Sequence, residues 1–286
     1  MVFLIILHSS FIIFLSMSYL VAITGKGGVG KTTIAALLIS RLIKRGCRPV
    51  LAVDADPNTC LDTALGVTVE KTVGGVREEA REIAGKGMAA GISKQELLEM
   101  KIAECLVEAE DFDLIAMGRP EGPGCYCYAN NVLKSVLAEI SSHYPYVVLD
   151  NEAGLENLSR RIIQKADILI IAADPSLRGL DTVRRLHALA QEMEMKYDQL
   201  AIIVNRLRND SLPPQVNELK KQINADFVVG LPDDDQLAAL SEQGKSLLSL
   251  EEENPVIERL DDFINCLRRP GNPFEKGFPG SSQNFS

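Results

Sequence analysis

Histidine is scarce in this 286-residue sequence: His8, His143 and His187 are the only three, far apart, which excludes a histidine-rich metal cage. Positive charge is also in deficit. Thirty Lys and Arg against 39 Asp and Glu leave a formal charge of −9, so no overall basic field exists to hold nucleic acid by counterion release. Six cysteines without dense or regular spacing do not make a disulfide framework and read as reduced thiols. What is plentiful is apolar. A hydrophobic content of 46% over this length is enough to build a full core, which excludes a disordered chain.

Residues 2–23 are mostly apolar yet contain no Lys or Arg, so a signal peptide would lack its positively charged start. A membrane span needs roughly 20 residues. Tyr19 to Ile23 must already serve as the strand feeding the glycine loop at Gly25, which leaves no linker between lipid and site. Met17 offers a compact beginning, MSYLVAITGKGGVGKTT, and residues 1–16 are expected to lie outside the fold as an over-extended start or a leader. Residues 17–268 are expected to form one domain. Residues 269–286, with Pro, Gly and Ser but no periodicity, are expected to be a disordered tail. Neither membrane nor nucleic acid is expected as a partner, and a cytoplasmic location is expected.

From Tyr19 onward short apolar runs alternate with longer segments of helical period, which predicts an α/β fold with a mostly parallel central sheet of seven or eight strands and helices on both faces. The predicted strands are 19–24, 49–54, 113–117, 146–150, 168–173, 200–205 and 227–231. Most are apolar throughout, as strands covered on both faces must be. The predicted helices are 31–45, 94–110, 129–143, 158–165, 177–197, 214–224 and 255–268, each with apolar residues recurring at three and four.

The strongest chemical signal is Gly25-Lys26-Gly27-Gly28-Val29-Gly30-Lys31-Thr32-Thr33, a GxxxxGK[ST] pattern between a predicted strand and a predicted helix. Glycines let successive backbone N–H groups curl around phosphate oxygens, and the helix N-terminus adds its dipole. Lys31 then reaches the β and γ phosphates of ATP, and Thr32 ligates Mg²⁺. A second lysine, Lys26, stands inside the loop. In this form the motif resembles the deviant Walker A of the MinD, ParA and nitrogenase iron protein group of dimeric ATPases. The resemblance implies a homodimer in which Lys26 crosses the interface to the phosphates bound by the partner.

The same resemblance assigns the other loops. Asp54-Ala55-Asp56-Pro57-Asn58 becomes switch I, with Asp56 orienting the attacking water and Asp54 close to the magnesium shell. On its own, Asp-Pro-Asn is ordinary turn chemistry. Val147 to Asp150 followed by Asn151-Glu152-Ala153-Gly154 becomes Walker B and switch II, with Asp150 holding Mg²⁺ through water and Gly154 offering its N–H to the γ-phosphate. Asn205, Pro232 and Asp233 resemble the adenine-contacting positions.

Gly122-Pro123-Gly124-Cys125-Tyr126-Cys127 separates members of this group. Two thiolates one residue apart bind a soft or borderline metal but cannot alone close a tetrahedral site, whereas a two-fold dimer brings four together. Zn²⁺ or Ni²⁺ is favoured over Fe. Incidental thiols or a redox pair are the alternatives, although adjacent extended cysteines make a strained disulfide. With DNEAGLENLSRR, this loop makes the chain resemble the CooC-type accessory ATPases of nickel-dependent carbon monoxide dehydrogenase maturation. That implies ATP-driven nickel insertion into a client, carbon monoxide dehydrogenase or acetyl-CoA synthase. Asn157 departs from the histidine expected there and can neither titrate near neutral pH nor ligate metal comparably.

Two other functions fit the motif. A reductase of the iron protein type needs a second cysteine just after switch II, and residues 151–158 have none. A positioning or regulatory switch of the MinD or ParA type needs no metal. The remaining cysteines, Cys47, Cys60, Cys105 and Cys266, are expected to be buried thiols.

Overall fold

The computed structural model describes residues 18–76, 100, 103–119, 134, 137, 140–154 and 165–268. Eight strands are present among them: β1 (Tyr19–Gly25), β2 (Val50–Asp54), β3 (Leu106–Glu108), β4 (Phe112–Ala116), β5 (Tyr146–Asp150), β6 (Lys165–Ala173), β7 (Lys196–Leu207) and β8 (Phe227–Pro232). They form one sheet in the order β3-β4-β2-β5-β1-β6-β7-β8. Every neighbouring pair is parallel except β3, which lies antiparallel against β4 at one edge. The expected α/β architecture is therefore present.

Residues of β5 divide by turns between two cores, as the two-residue period of a strand requires. Tyr146 and Val148 enter one core, and Val147 and Leu149 the other. The first is closed by helix α1 (Lys31–Lys44), through Ile34, Leu37 and Leu38. The short helix α2 (Leu61–Leu65) contributes Leu61 and Leu65 to the same side. Helix α3 (Leu177–Glu192) closes the opposite face with Leu180, Val183 and Leu186, and helix α4 (Gln215–Gln222) adds Val216 and Leu219. After helix α5 (Asp235–Glu242), the chain returns to the first face in helix α6 (Pro255–Cys266), which buries Val256, Ile257, Leu260 and Phe263.

Local chemistry sets the helix starts. Ser176 Oγ accepts from Gly179 N at 3.0 Å at the head of α3, and Asn254 Oδ1 accepts from Val256 N at 2.9 Å at the head of α6, where Pro255 fills the first helical position. Helices α1 and α6 are pinned by Arg41, whose guanidinium reaches Asp261 through Nε at 3.0 Å and Nη2 at 2.8 Å while Nη1 donates to Glu252. A planar guanidinium matches a carboxylate in this two-pronged way, which a lysine cannot do.

Three boundaries differ from those predicted. The helix expected over 94–110 gives way to strand at Leu106, because Leu106 and Val107 find ladder partners in Ile115 and Leu114. Helix α3 stops at Glu192, and Glu194 adopts a φ of 54° that turns the chain into β7 at Lys196. Lys165, expected to end a helix, begins β6 and pairs with Lys196. The last two errors share a cause: the first residues of β6 and β7 are polar, and a polar start hides a strand from hydrophobic periodicity. The expected helix over 158–164, the leader at 1–16 and the tail at 269–286 lie outside the described residues. Among the described residues no helix is long and apolar enough to cross a membrane.

The strand order places the carboxyl ends of β1, β2 and β5 side by side in the middle of the sheet, with β1 between β5 and β6. Ligands bind at such a reversal because loops from adjacent strands diverge there and leave a crevice.

Candidate nucleotide site

The loop joining β1 to α1 is packed so closely that two of its glycines admit no side chain. A Cβ on Gly25 would lie 2.4 Å from the carbonyl oxygen of Ala172, and one on Gly30 would lie 2.4 Å from Asn205 Nδ2. Gly30 also has a φ of 93°, in the left-handed region. Asn205, at the far end of β7, donates from Nδ2 to the carbonyl of Val29 at 2.9 Å and so clamps the loop. No side chain caps α1 and no acidic residue occupies its first turn, which leaves its leading N–H groups and dipole open to an anion.

Within this loop the two lysines are placed differently. Lys31 is buried with Nζ 3.4 Å from the carbonyl of Lys26, whereas Lys26, Gly27 and Gly28 are exposed. Lys26 faces outward near Asp174. Burial alone would raise the Asp174 pKa, but hydrogen bonds from Ser176 and the positive charge of Lys26 hold it below the usual carboxylate value.

Beside the loop, Thr32 Oγ1 donates to Asp150 Oδ2 at 2.6 Å. The other carboxylate oxygen of Asp150 is buried with no hydrogen-bond partner, as is Oδ1 of the neighbouring Asn151. Burial, and then the nearby charge of Asp54, push the Asp150 pKa up to about 7, against the opposing effects of Thr32 and Lys31. An orphaned acceptor next to a threonine hydroxyl at the glycine loop fits Mg²⁺, which Thr32 and Asp150 would hold. Bound there, the ion would neutralise phosphate charge.

Asp54 is not free for that shell. Its Oδ1 accepts from Asp56 N, and its Oδ2 accepts from Cys60 N and Leu61 N, each at 2.9 Å. Asp54 therefore folds the loop over residues 55–60 and starts α2, and it acts on Asp150 through charge. Its own pKa is pushed up to about 6 by burial, partly offset by those three amides. Gly154 sits at the same place: its N–H donates to the carbonyl of Gly25 at 3.0 Å while its carbonyl accepts from Thr24 Oγ1 at 2.9 Å. Its amide must leave Gly25 before it can serve a γ-phosphate.

Asp56 is half-buried at the crevice, and its Oδ1 accepts from both the backbone N and Nδ2 of Asn58. Pro232 closes β8 opposite Leu207, and the exposed Asp233 donates its N–H to the carbonyl of Leu207 at 3.0 Å. Asp234 rather than Asp233 caps α5, accepting from Leu237 N at 2.7 Å. Asn205 has spent its amide nitrogen on Val29, so its first role is to hold the loop. Substituting Asn205 with alanine is expected to weaken nucleotide binding about 5- to 10-fold, the loss of one buried hydrogen bond at a phosphate loop. Titration with a fluorescent nucleotide measures this, and unchanged affinity would show that the loop holds its shape without the clamp.

A groove of about 300 Å³ is lined by Thr32, Thr33, Thr59, Cys60, Ser241 and Lys245. Nothing in the sequence marks Ser241, in the last turn of α5, or Lys245, just beyond that helix. Cys60 and Cys266 are exposed, contrary to the expectation that all four single cysteines are buried; Cys47 and Cys105 are buried. Cys60 stands on the loop just before α2, and Cys266 ends α6. Cys125, Cys127 and Asn157 lie outside the described residues. Among the described residues no group of three or more His, Cys, Asp or Glu is arranged to hold a metal.

The chain is similar to known proteins over most of its length. The family described as AAA domain matches residues 17–202. The chain is 40% identical over 253 residues to an uncharacterized ATP-binding protein of Methanocaldococcus jannaschii, covering 87% of this chain and 98% of that one. It is 30% identical over 242 residues to the carbon monoxide dehydrogenase accessory protein CooC of Rhodospirillum rubrum, covering 80% and 89% respectively. Among solved structures, a ParA family ATPase from Chlorobium tepidum TLS superposes with a TM-score of 0.67 at 22% identity, over 88% of this chain and all of that one, a likeness of fold. With its glycine loop ahead of α1 and this match over residues 17–202, the chain belongs to the AAA-domain family, and its sheet has the fold of the ParA ATPase.

Proposed function

We propose that the protein is an ATP-dependent metallochaperone that binds Ni²⁺ or Zn²⁺ at Cys125 and Cys127 and delivers nickel to carbon monoxide dehydrogenase or acetyl-CoA synthase in the cytoplasm. The observation that carries the reading is the CxC pair in the segment leaving β4, in a chain 30% identical to a carbon monoxide dehydrogenase accessory protein. ATP closes a homodimer, with Lys26 of each subunit crossing to the other's phosphates. Closure brings two CxC pairs together, and four thiolates complete the tetrahedral site that one pair cannot. Asp56 orients the attacking water, and Gly154 exchanges Gly25 for the γ-phosphate, so hydrolysis reopens the dimer and frees the metal.

The test is metal content and solution mass of the protein without nucleotide, with ADP and with a non-hydrolysable ATP analogue. About one Ni²⁺ or Zn²⁺ per nucleotide-closed dimer is expected, lost in C125S/C127S while nucleotide binding persists. Metal retained in that variant would refute the site. Absence of metal in every state, with ATP-dependent dimerisation intact, would leave a MinD-like or ParA-like switch without a metal role.

A further inference from the structure

We propose that Arg119 is a positioning residue for Asp56, acting through the side-chain amide of Asn58. The inference rests on the reading of Asp56 as the carboxylate that orients the attacking water. Ala116 pairs with Asp54 in register, and beyond the ladder Met117 N donates to the carbonyl of Asp54 at 2.8 Å while its own carbonyl accepts from Gly74 N at 2.8 Å. The chain then turns at Gly118, whose φ is 62° and where a Cβ would come within 2.3 Å of Thr72. Only glycine takes this turn at so close an approach. The turn brings the next residue, Arg119, back over switch I.

There the exposed guanidinium donates from Nη2 to Oδ1 of Asn58. The opposite end of the same amide donates to Asp56 Oδ1 at 2.9 Å, in addition to the backbone N–H of Asn58 at 2.8 Å. An asparagine amide has two nearly isosteric ends, and a half turn about its last bond would present a lone pair to the carboxylate in place of a donor. Arginine has no acceptor, so it accepts only one of the two orientations. By holding the carbonyl end of Asn58, Arg119 forces the NH₂ end toward Asp56. Two donors then occupy Oδ1 of Asp56, the backbone of Asp56 is tied to Asp54 at 2.9 Å, and Oδ2 is the oxygen left to accept from a water. Neither Arg119 nor Asn58 touches the reacting atoms in this scheme; they fix which oxygen of Asp56 does.

Steady-state ATP hydrolysis by the full chain, compared across R119A, R119K, N58A and R119A/N58A, tests this. Releasing one charge-assisted hydrogen bond from a positioned group is expected to lower kcat about 5- to 20-fold in R119A, with KM for Mg-ATP within about twofold of the original because no phosphate contact is lost. R119K supplies a donor and is expected to recover most of the rate. N58A should match R119A, and the double variant should be no slower than the slower single one, since both break one chain of bonds. Wild-type kcat in R119A, a rise in KM instead of a fall in kcat, or additive losses in the double variant would each overturn the proposal. A second arm reads the amide itself. The ¹⁵N side-chain NH₂ resonances of Asn58 should move toward those of a free asparagine in R119A, and unchanged resonances would overturn the link. If the wild-type protein hydrolyses no ATP, the proposed function fails, and the resonances still decide whether Arg119 sets Asn58.

Discussion

Lys31→Ala is expected to abolish ATP turnover and to weaken nucleotide binding about 100-fold or more, whereas Lys26→Ala should leave a single subunit's nucleotide affinity nearly intact. The contrast follows from placement. Lys31 is buried at the head of α1, with its ammonium against the carbonyl of Lys26, inside the loop whose pattern predicts phosphate binding. Removing a preorganised charge aimed at transferring phosphate costs about 10²- to 10³-fold in rate. Arginine should not rescue it, because a planar fork does not fit where a compact ammonium sits. Lys26 is exposed on the outer side of the loop and has solvent and Asp174 around it. Its loss should therefore appear as a failure to dimerise with the ATP analogue, measured by solution mass, and as lost turnover. Loss of nucleotide affinity by the isolated subunit in K26A would contradict the cross-subunit role.

Asp150→Asn should stabilise the metal-free protein above neutral pH while eliminating its response to Mg²⁺. Two carboxylates near one another, both raised by burial, make this prediction: Asp54 to about 6 and Asp150 to about 7. A carboxylate with a raised folded-state pKa holds its proton longer in the folded than in the unfolded chain. Stability then falls as pH rises. The cost is absent below the unfolded value near 3.8, accrues above it, and is complete once pH exceeds about 7. Between about pH 5 and pH 8 the metal-free protein should lose on the order of 4 kcal/mol from this pair. Urea unfolding across that range measures it. Asparagine keeps an acceptor for Thr32 but removes the charge, so D150N should flatten the profile. Millimolar Mg²⁺ with nucleotide should raise the stability of the wild-type protein at the alkaline end and leave D150N unmoved. An unflattened slope in D150N would place the pH dependence elsewhere.

These variants target residues visible in the sequence, but their environments differ in how far the sequence foretold them. The phosphate loop is legible because its requirements are local. Glycines at Gly25 and Gly30, then a lysine and a hydroxyl at the head of a helix, satisfy steric and hydrogen-bonding demands within nine residues. The central strands are equally legible, since β1, β2 and β5 are covered on both faces and must be apolar without interruption. Where a strand begins with charge, as β6 does at Lys165 and β7 at Lys196, the pattern misleads. The edge strand β3 was hidden for a related reason: two apolar residues, Leu106 and Val107, fit a helical stripe as well as a ladder until β4 is beside them.

The roles of the acidic residues were decided in three dimensions. Asp54 and Asp56 stand two apart in one motif and look interchangeable as magnesium or water ligands. Folding gives the first to three backbone amides and leaves the second at the crevice. Asn205, expected at the base, holds the loop because β7 lies two strands from β1, and Arg119 meets Asn58 only because Met117 and Gly118 turn the chain over switch I. The sequence by itself determined the fold class, the nucleotide loop and the ends of the central strands, all of which follow from short-range sterics and hydrophobic period. The tertiary structure alone decided which polar atom meets which, because a buried donor or acceptor must find a partner and that partner comes from whichever strand the sheet order places next to it.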